Sequence, residues 1–248
     1  MRAILLAAGR GSRMKGLTDE RPKCLVEVQG KPLIEWQMEV FRRARIDEVA
    51  IVTGYRRELL AARGHTEFVN PLWSETQMVS SLACARDWLE SGACIVSYSD
   101  ILYGEEAIRL LADCDADLAV TYDPNWLEQW ERRFGDPLVD AETFRLNPNQ
   151  TLAEIGNKPT SVQELEGQFM GLLRFTPRGW AEVQGIRDAL NPSERDRMHM
   201  TGTLQKVIEA GRIPIKAVPY TGAWGEFDSE QDIHAFDSVA RSADFLKG

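Results

Sequence analysis

Arg13 and Lys23 follow a glycine-bearing loop, Gly9-Arg10-Gly11-Ser12-Arg13, on a chain that is otherwise acidic. A guanidinium offers phosphate a planar fork and an ammonium offers it a movable point charge. Glycine lets the backbone approach a ligand where a Cβ would obstruct it. Leu6, Ala8, Gly9, Gly11, Ser12 and Arg13 are therefore candidates for holding a nucleoside triphosphate, with Lys23 beside them and Pro22 stiffening its approach. Asp100 ends an apolar run, and Asp228 lies in an acidic segment near the carboxyl end. Carboxylates that face a triphosphate need a cation between, which makes these two the candidate Mg2+ ligands. A turn-capping Asp and a solvated acidic turn are the competing readings.

Other positions bear on what the nucleotide and its partner are. Gln77, Ser80 and Ser81 precede or open a helical pattern, where hydroxyls and amides either cap the helix or read the edge of a base. Ser99, next to Asp100 at the end of the same apolar run, is a further candidate for the nucleotide. Trp126 and Trp130 are spaced i, i+4, which puts both indoles on one helical face. That face could surround an ammonium or simply pack the segment hydrophobically. Glu128 and Glu131 could add a counter-charge there, whereas Arg132 and Arg133 would suit a carboxylate or a second phosphate. Four carboxylates crowd residues 226–232, of which Asp232 starts the last helix, expected over 232–245, with Ser229 as its cap.

Positioning these groups falls to alternating short apolar strands and helical patterns. The signature of βαβ units on a mixed, mostly parallel sheet flanked by helices runs through the first half of the chain. Strands are expected at 3–8, 48–53, 66–69, 94–98, 118–122, 167–175 and 215–218, and helices at 32–43, 57–62, 177–183 and 201–210, with another running to residue 89. In such sheets ligands collect beyond the carboxyl ends of the strands, so Asp100 belongs on the rim that carries Gly9 and Arg13. Residues 123–170 break the βαβ rhythm and read as a small insertion over the site, with a hairpin around Asn147-Pro148-Asn149-Gln150 and a lone Lys158 beyond it.

The 248 residues suit a single α/β domain spanning 1–248. A formal net charge of -9 argues against nucleic acid or an anionic membrane as the main partner. No apolar run approaches the ~20 residues of a membrane span, and the chain enters a strand directly, so a cytoplasmic protein is expected. Cys24, Cys84, Cys94 and Cys114 lack metal-site or disulfide spacing and read as reduced, mostly buried thiols; only Cys24, beside Lys23, could be reactive, and small core filler is its leading reading. His65, His199 and His234 are scattered and form no catalytic constellation. A homodimer is left open.

The opening segment resembles the signature of nucleotidyltransferases that join an NTP to a phosphorylated small molecule, of form LAAGxGxRLxxLTxxxPKxL. It matches at Leu6-Ala7-Ala8-Gly9, Gly11, Arg13, Leu17-Thr18 and Pro22-Lys23, with Met14 for the usual Leu and Cys24 for a common Pro. The Asn70 to Leu82 segment and the Trp-Gly-Glu-Phe-Asp-Ser run near the end are more similar to cytidylyltransferases acting on phosphocholine and small phosphonates. The resemblance implies a Rossmann-like nucleotidyltransferase fold, CTP and a small phosphorylated acceptor as partners, and Mg2+ on Asp100 and Asp228. It further implies Arg13, Lys23 and Lys158 at the reacting phosphates, and an acceptor site involving Trp126, Trp130, Lys158 and Glu226. A sugar-1-phosphate nucleotidyltransferase and an inactive nucleotide-binding module are the alternatives.

Overall fold

The computed structural model describes residues 1–233 and Phe236. The apolar runs form one seven-stranded sheet. Its strands are β1 (Arg2–Ala7), β2 (Val49–Thr53), β3 (Thr66–Val69), β4 (Cys94–Tyr98), β5 (Leu118–Asp123), β6 (Gln168–Phe175) and β7 (Ile215–Pro219). They lie in the order β7-β5-β6-β4-β1-β2-β3. β1 pairs in parallel with β2 and β4, as do β2 with β3 and β5 with β7, while β6 runs antiparallel between β4 and β5. The sheet is mixed and mostly parallel, as the sequence predicts. Ala3, Ile4 and Leu5 are wholly buried because helices cover both faces, and a strand buried on both sides needs a continuous apolar run rather than an alternating one.

One face packs against α1 (Leu33–Arg43), whose Ile34, Val40 and Phe41 join Leu5, Ile51 and Ile95. The other packs against helices that include α2 (Met78–Ala83), α6 (Pro177–Asp188) and α7 (Met200–Ala210), through Val79, Leu82, Trp180 and Leu204. The chain winds from β1 to β2 and β3 on one side and returns to β4 on the other. The strand order thus reverses beside β1, and a crevice opens at the carboxyl ends of β1 and β4.

Three local expectations change. The helix running to residue 89 is broken at Cys84 and Ala85 into α2 and α3 (Arg86–Ser91). A helix not read from the sequence, α4 (Glu105–Ala112), follows the Asp100 segment. Most important, Ile101–Tyr103 forms a two-stranded ribbon with Trp224–Glu226, and the Phe227 N–H donates to the Asp100 carbonyl at 2.9 Å. That pairing across the length of the chain brings Asp228 to Asp100.

Of the expected insertion over 123–170, residues 124–167 lie between β5 and β6, outside the sheet. They contain α5 (Leu127–Phe134) and a hairpin of Phe144–Leu146 with Leu152–Ile155. The helix expected over 232–245 falls mostly outside the described residues, and so does His234. Among the described residues no helix is long and apolar enough to cross a membrane.

Candidate active site

β1 delivers the chain into the glycine loop at the crevice. Gly11 has φ +73, the left-handed region where L side chains are strained, and its carbonyl accepts from the Thr18 hydroxyl at 3.0 Å. A Cβ built there would lie 2.7 Å from Lys23 Cβ and 2.8 Å from Lys23 Cδ. Gly11 is glycine because the Lys23 stem passes across it. Gly9 faces open space, with nothing within 4 Å of where its Cβ would be. It has room for a ligand rather than for its own chain.

The Lys23 ammonium is buried between the two aspartates, donating to Asp100 Oδ2 at 2.7 Å and to Asp228 Oδ1 at 2.5 Å. An Arg13 Nη2 stands 2.8 Å from the same Asp228 oxygen. Burial works against the charge on Lys23, but Asp100 and Asp228 outweigh it and raise its pKa. Burial likewise opposes ionisation of Asp228, and Lys23 overrides it, holding the carboxyl below its ordinary range. Asp100 Oδ1 and Asp228 Oδ2 are buried without a hydrogen-bond partner. Asp228 also shares a cluster with Asp140 and Glu226, carboxylate oxygens that lie within 4.8 Å of one another. Burial first, and then the Asp228 charge, push the Glu226 carboxyl up to about 7 against the pull of Arg133.

Two cavities flank this centre. One of about 480 Å³ lies against the glycine loop, lined by Leu6, Ala8, Gly9, Gly11 and Ser12 on one side and Trp73, Gln77, Met78 and Ser81 on the other. The second, about 510 Å³, contains Arg13, Glu226 and Asp228 and is walled by Asp140, Glu142 and Gln168 together with Tyr98, Phe169 and His199. Gln77 and Met78 line both, so the two spaces adjoin.

Several sequence-based assignments change on this geometry. Ser80 lines neither cavity, and its hydroxyl accepts from Arg187 Nη1 at 3.3 Å. Ser81 does line the first cavity, with its oxygen already accepting from Asn70 Nδ2 at 2.9 Å. Ser99 is buried and borders neither cavity. Lys158 lines neither cavity, and its Nζ donates to the Leu138 carbonyl at 2.7 Å, which ties it to residues 138–139. Trp126 and Trp130 are 3% and 1% exposed and belong to the core, so they form no cage for an ammonium. The reason is amphipathicity: α5 exposes Glu128, Glu131 and Arg132, and its indole face is the one the sheet needs. Cys24 keeps its leading reading as core filler: it is buried, and burial pushes its thiol up to about 12. Asp232 does not begin the last helix, which starts at Glu230; its Oδ2 instead accepts from the backbone N–H groups of Asp228 and Ser229 at 2.9 and 2.8 Å.

Trp73, Tyr98, Asp140, Glu142, Phe169 and His199 line the cavities without having been singled out as site residues by the sequence. Asp140 and Glu142 could have been suspected from their place in the insertion beyond the Arg132-Arg133 pair. Tyr98 and Phe169 read only as strand residues.

A switch-point crevice holding a glycine loop, a buried lysine and convergent aspartates defines a nucleotide-handling transferase. Residues 3–155 match the MobA-like NTP transferase domain, and the chain belongs to that family; it is a nucleotidyltransferase. Among its relatives is the CTP:phosphoglutamine cytidylyltransferase of Campylobacter jejuni, 35% identical over 249 residues, which cover 94% of this chain and 98% of that protein. The choline-phosphate cytidylyltransferase of Streptococcus pneumoniae is 47% identical over a 58-residue stretch, 23% of this chain and 25% of that protein. The solved CTP:phosphocholine cytidylyltransferase of Streptococcus pneumoniae superposes with a TM-score of 0.72, covering 96% of this chain and 98% of that one at 20% identity, which speaks for the fold alone.

Proposed function

We propose that this nucleotidyltransferase moves CMP from CTP to a small phosphorylated or phosphonate acceptor that also carries a positively charged nitrogen, releasing pyrophosphate. The observation that carries the reading is the pair of cavities meeting at Gln77 and Met78, one against the glycine loop and one around Asp228. The first suits a nucleotide: Gly9 and Gly11 expose backbone toward phosphates, with Trp73, Gln77 and Ser81 on the facing wall for the base. Cytosine is favoured by the full-length likeness to the Campylobacter jejuni enzyme. The second suits the acceptor. Of its carboxylates, Glu226 and Asp228 are already paired with Arg133, Lys23 and Arg13, which leaves Asp140 and Glu142 to attract a cationic nitrogen while Arg13 is placed for the phosphate. Phosphocholine, 2-aminoethylphosphonate and phosphoglutamine all meet that description.

An acceptor phosphate oxygen attacks the α-phosphorus as the bond to the departing pyrophosphate breaks. The nucleophile is already an anion at neutral pH, so no general base is needed, and positioning with charge neutralisation carries the reaction. Arg13 and Lys23 supply the protein's positive charge. The buried carboxylate oxygens of Asp100 and Asp228 that lack a partner fit a hard divalent cation, which takes oxygen ligands only. Asp100 and Asp228 would hold Mg2+, with Asp140 and Glu226 adjacent. When bound, the ion neutralises phosphate charge.

Pyrophosphate release measured with CTP, UTP, GTP and ATP against phosphocholine, 2-aminoethylphosphonate, phosphoglutamine and glucose 1-phosphate tests the proposal. Turnover is expected with CTP and an ammonium-bearing acceptor. Faster turnover of glucose 1-phosphate would replace the acceptor class, and nucleotide binding without turnover of any NTP would make the chain a binding module.

A further inference from the structure

A further buried cation, Arg133, stands beside the site. Its side chain is 5% exposed, with the guanidinium carbon 4.9 Å from the Trp130 ring centroid and 4.8 Å from that of Phe134. Its Nη1 donates to Glu226 Oε2 at 2.9 Å and its Nε to Asp232 Oδ1 at 2.8 Å. The other oxygen of Asp232 accepts from Asp228 N at 2.9 Å, from Ser229 N at 2.8 Å and from Ser229 Oγ at 2.9 Å. The contacts therefore run without a gap from the aromatic face of α5, through one guanidinium and one carboxylate, to the backbone of Asp228. A third arm is poised: Arg133 Nη2 lies 3.9 Å from Asp228 Oδ2, and neither atom has a hydrogen-bond partner.

We propose that Arg133 is the positioning residue for Asp228. Seated on Trp130 and Phe134, it fixes Glu226 and Asp232 and so aims the Asp228 carboxylate at the cation that Asp228 shares with Asp100. The indole face of α5 thus does hold a cation, but the chain's own. Rings on which a planar guanidinium can lie fix its plane, and the fork then addresses two carboxylates in set directions, which the single ammonium of lysine cannot do. Its charge also allows Glu226, Asp228 and Asp232 to lie close together, which bare like charges in a buried setting would resist. The role ties the insertion to the carboxyl-terminal segment: α5 sets the geometry of the centre without touching substrate.

The proposal rests on the reading of Asp228 as a metal ligand, and Mn2+ serves as the probe. Mn2+ binding is followed by electron paramagnetic resonance with and without CTP, alongside CTP affinity in metal-free buffer, kcat and Tm. Arg133→Lys is expected to weaken Mn2+ binding at least tenfold and to lower kcat, with metal-free CTP affinity within twofold of wild type. The exposed Arg132→Lys should change none of these. Asp232→Asn should weaken Mn2+ binding in the same sense, and the double variant should lose less than the product of the single losses, because both act on one path. Should Arg133→Lys not fold, Asp232→Asn carries the test. Wild-type Mn2+ affinity in either folded variant would overturn the proposal even with a lowered Tm, as would multiplicative losses or a wild-type enzyme that binds no Mn2+ with CTP. If Mn2+ behaves as expected but no NTP is turned over, the positioning role stands and the cytidylyltransferase reading falls.

Discussion

Gly9 and Gly11 stand two residues apart in one loop, yet the structure gives them different reasons to be glycine, and Gly9→Ala and Gly11→Ala separate those reasons. At Gly11 the φ of +73 and a Cβ 2.7 to 2.9 Å from three carbons of Lys23 act together. The left-handed conformation costs an L residue roughly 1–2 kcal/mol, and forcing a methyl into a filled space costs about 1–3 kcal/mol. A loss of about 3 kcal/mol lowers the Tm of a domain this size by roughly 6–12 °C. At Gly9 the φ is not positive and no atom lies within 4 Å, so Tm should change by no more than about 2 °C, in line with about 0.5 kcal/mol for an unhindered substitution. The Gly9 methyl would instead stand between the backbone and the bound phosphates, and CTP affinity should fall at least about tenfold, or about 1.4 kcal/mol. Differential scanning fluorimetry gives the first pair of numbers and titration calorimetry with CTP the second. Equal Tm losses in the two variants, or Gly9→Ala binding CTP as wild type does, would refute the reasoning.

Three further outcomes follow from the same geometry. Glu142→Gln, at the exposed rim of the second cavity, should raise KM for phosphocholine or 2-aminoethylphosphonate several-fold while leaving KM for CTP unchanged, and steady-state kinetics with each substrate varied would show it. Trp126→Phe should lower Tm by several degrees through lost core packing, at about 1–3 kcal/mol, and leave the acceptor KM within twofold; a large KM effect would restore the indole to the acceptor site. Cys24, whose thiol is pushed up to about 12, stays protonated at pH 8 and should resist a thiol-modifying reagent in the folded protein while reacting fully in denaturant.

The sheet and the glycine-loop side of the site are legible in the sequence for a physical reason: both depend on local pattern. The apolar run before Gly9 announces a strand buried on both faces, and glycines, Arg13 and Lys23 close behind it announce an anion site. The second cavity depends on contacts between distant segments. Nothing near Ile101–Tyr103 says that it pairs with Trp224–Glu226, although that ribbon is what brings Asp228 to Asp100. Trp126 and Trp130 show the limit of periodicity, which gives the shared face of two indoles but not what covers it. Lys158 shows another limit, since a lysine's charge is evident from sequence but its reach to the Leu138 carbonyl is not.

Phosphorus-31 NMR of a single mixture of CTP, Mg2+, acceptor and enzyme tests the central claim most directly, because it reports which bond of CTP is broken and what is joined to the α-phosphorus. New coupled resonances of a CMP-acceptor diphosphate should grow together with free pyrophosphate in equal amounts, and none of this should occur with Asp228→Ala despite retained CTP binding. Intact CTP with every acceptor, or the same product formed at an undiminished rate by Asp228→Ala, would contradict it.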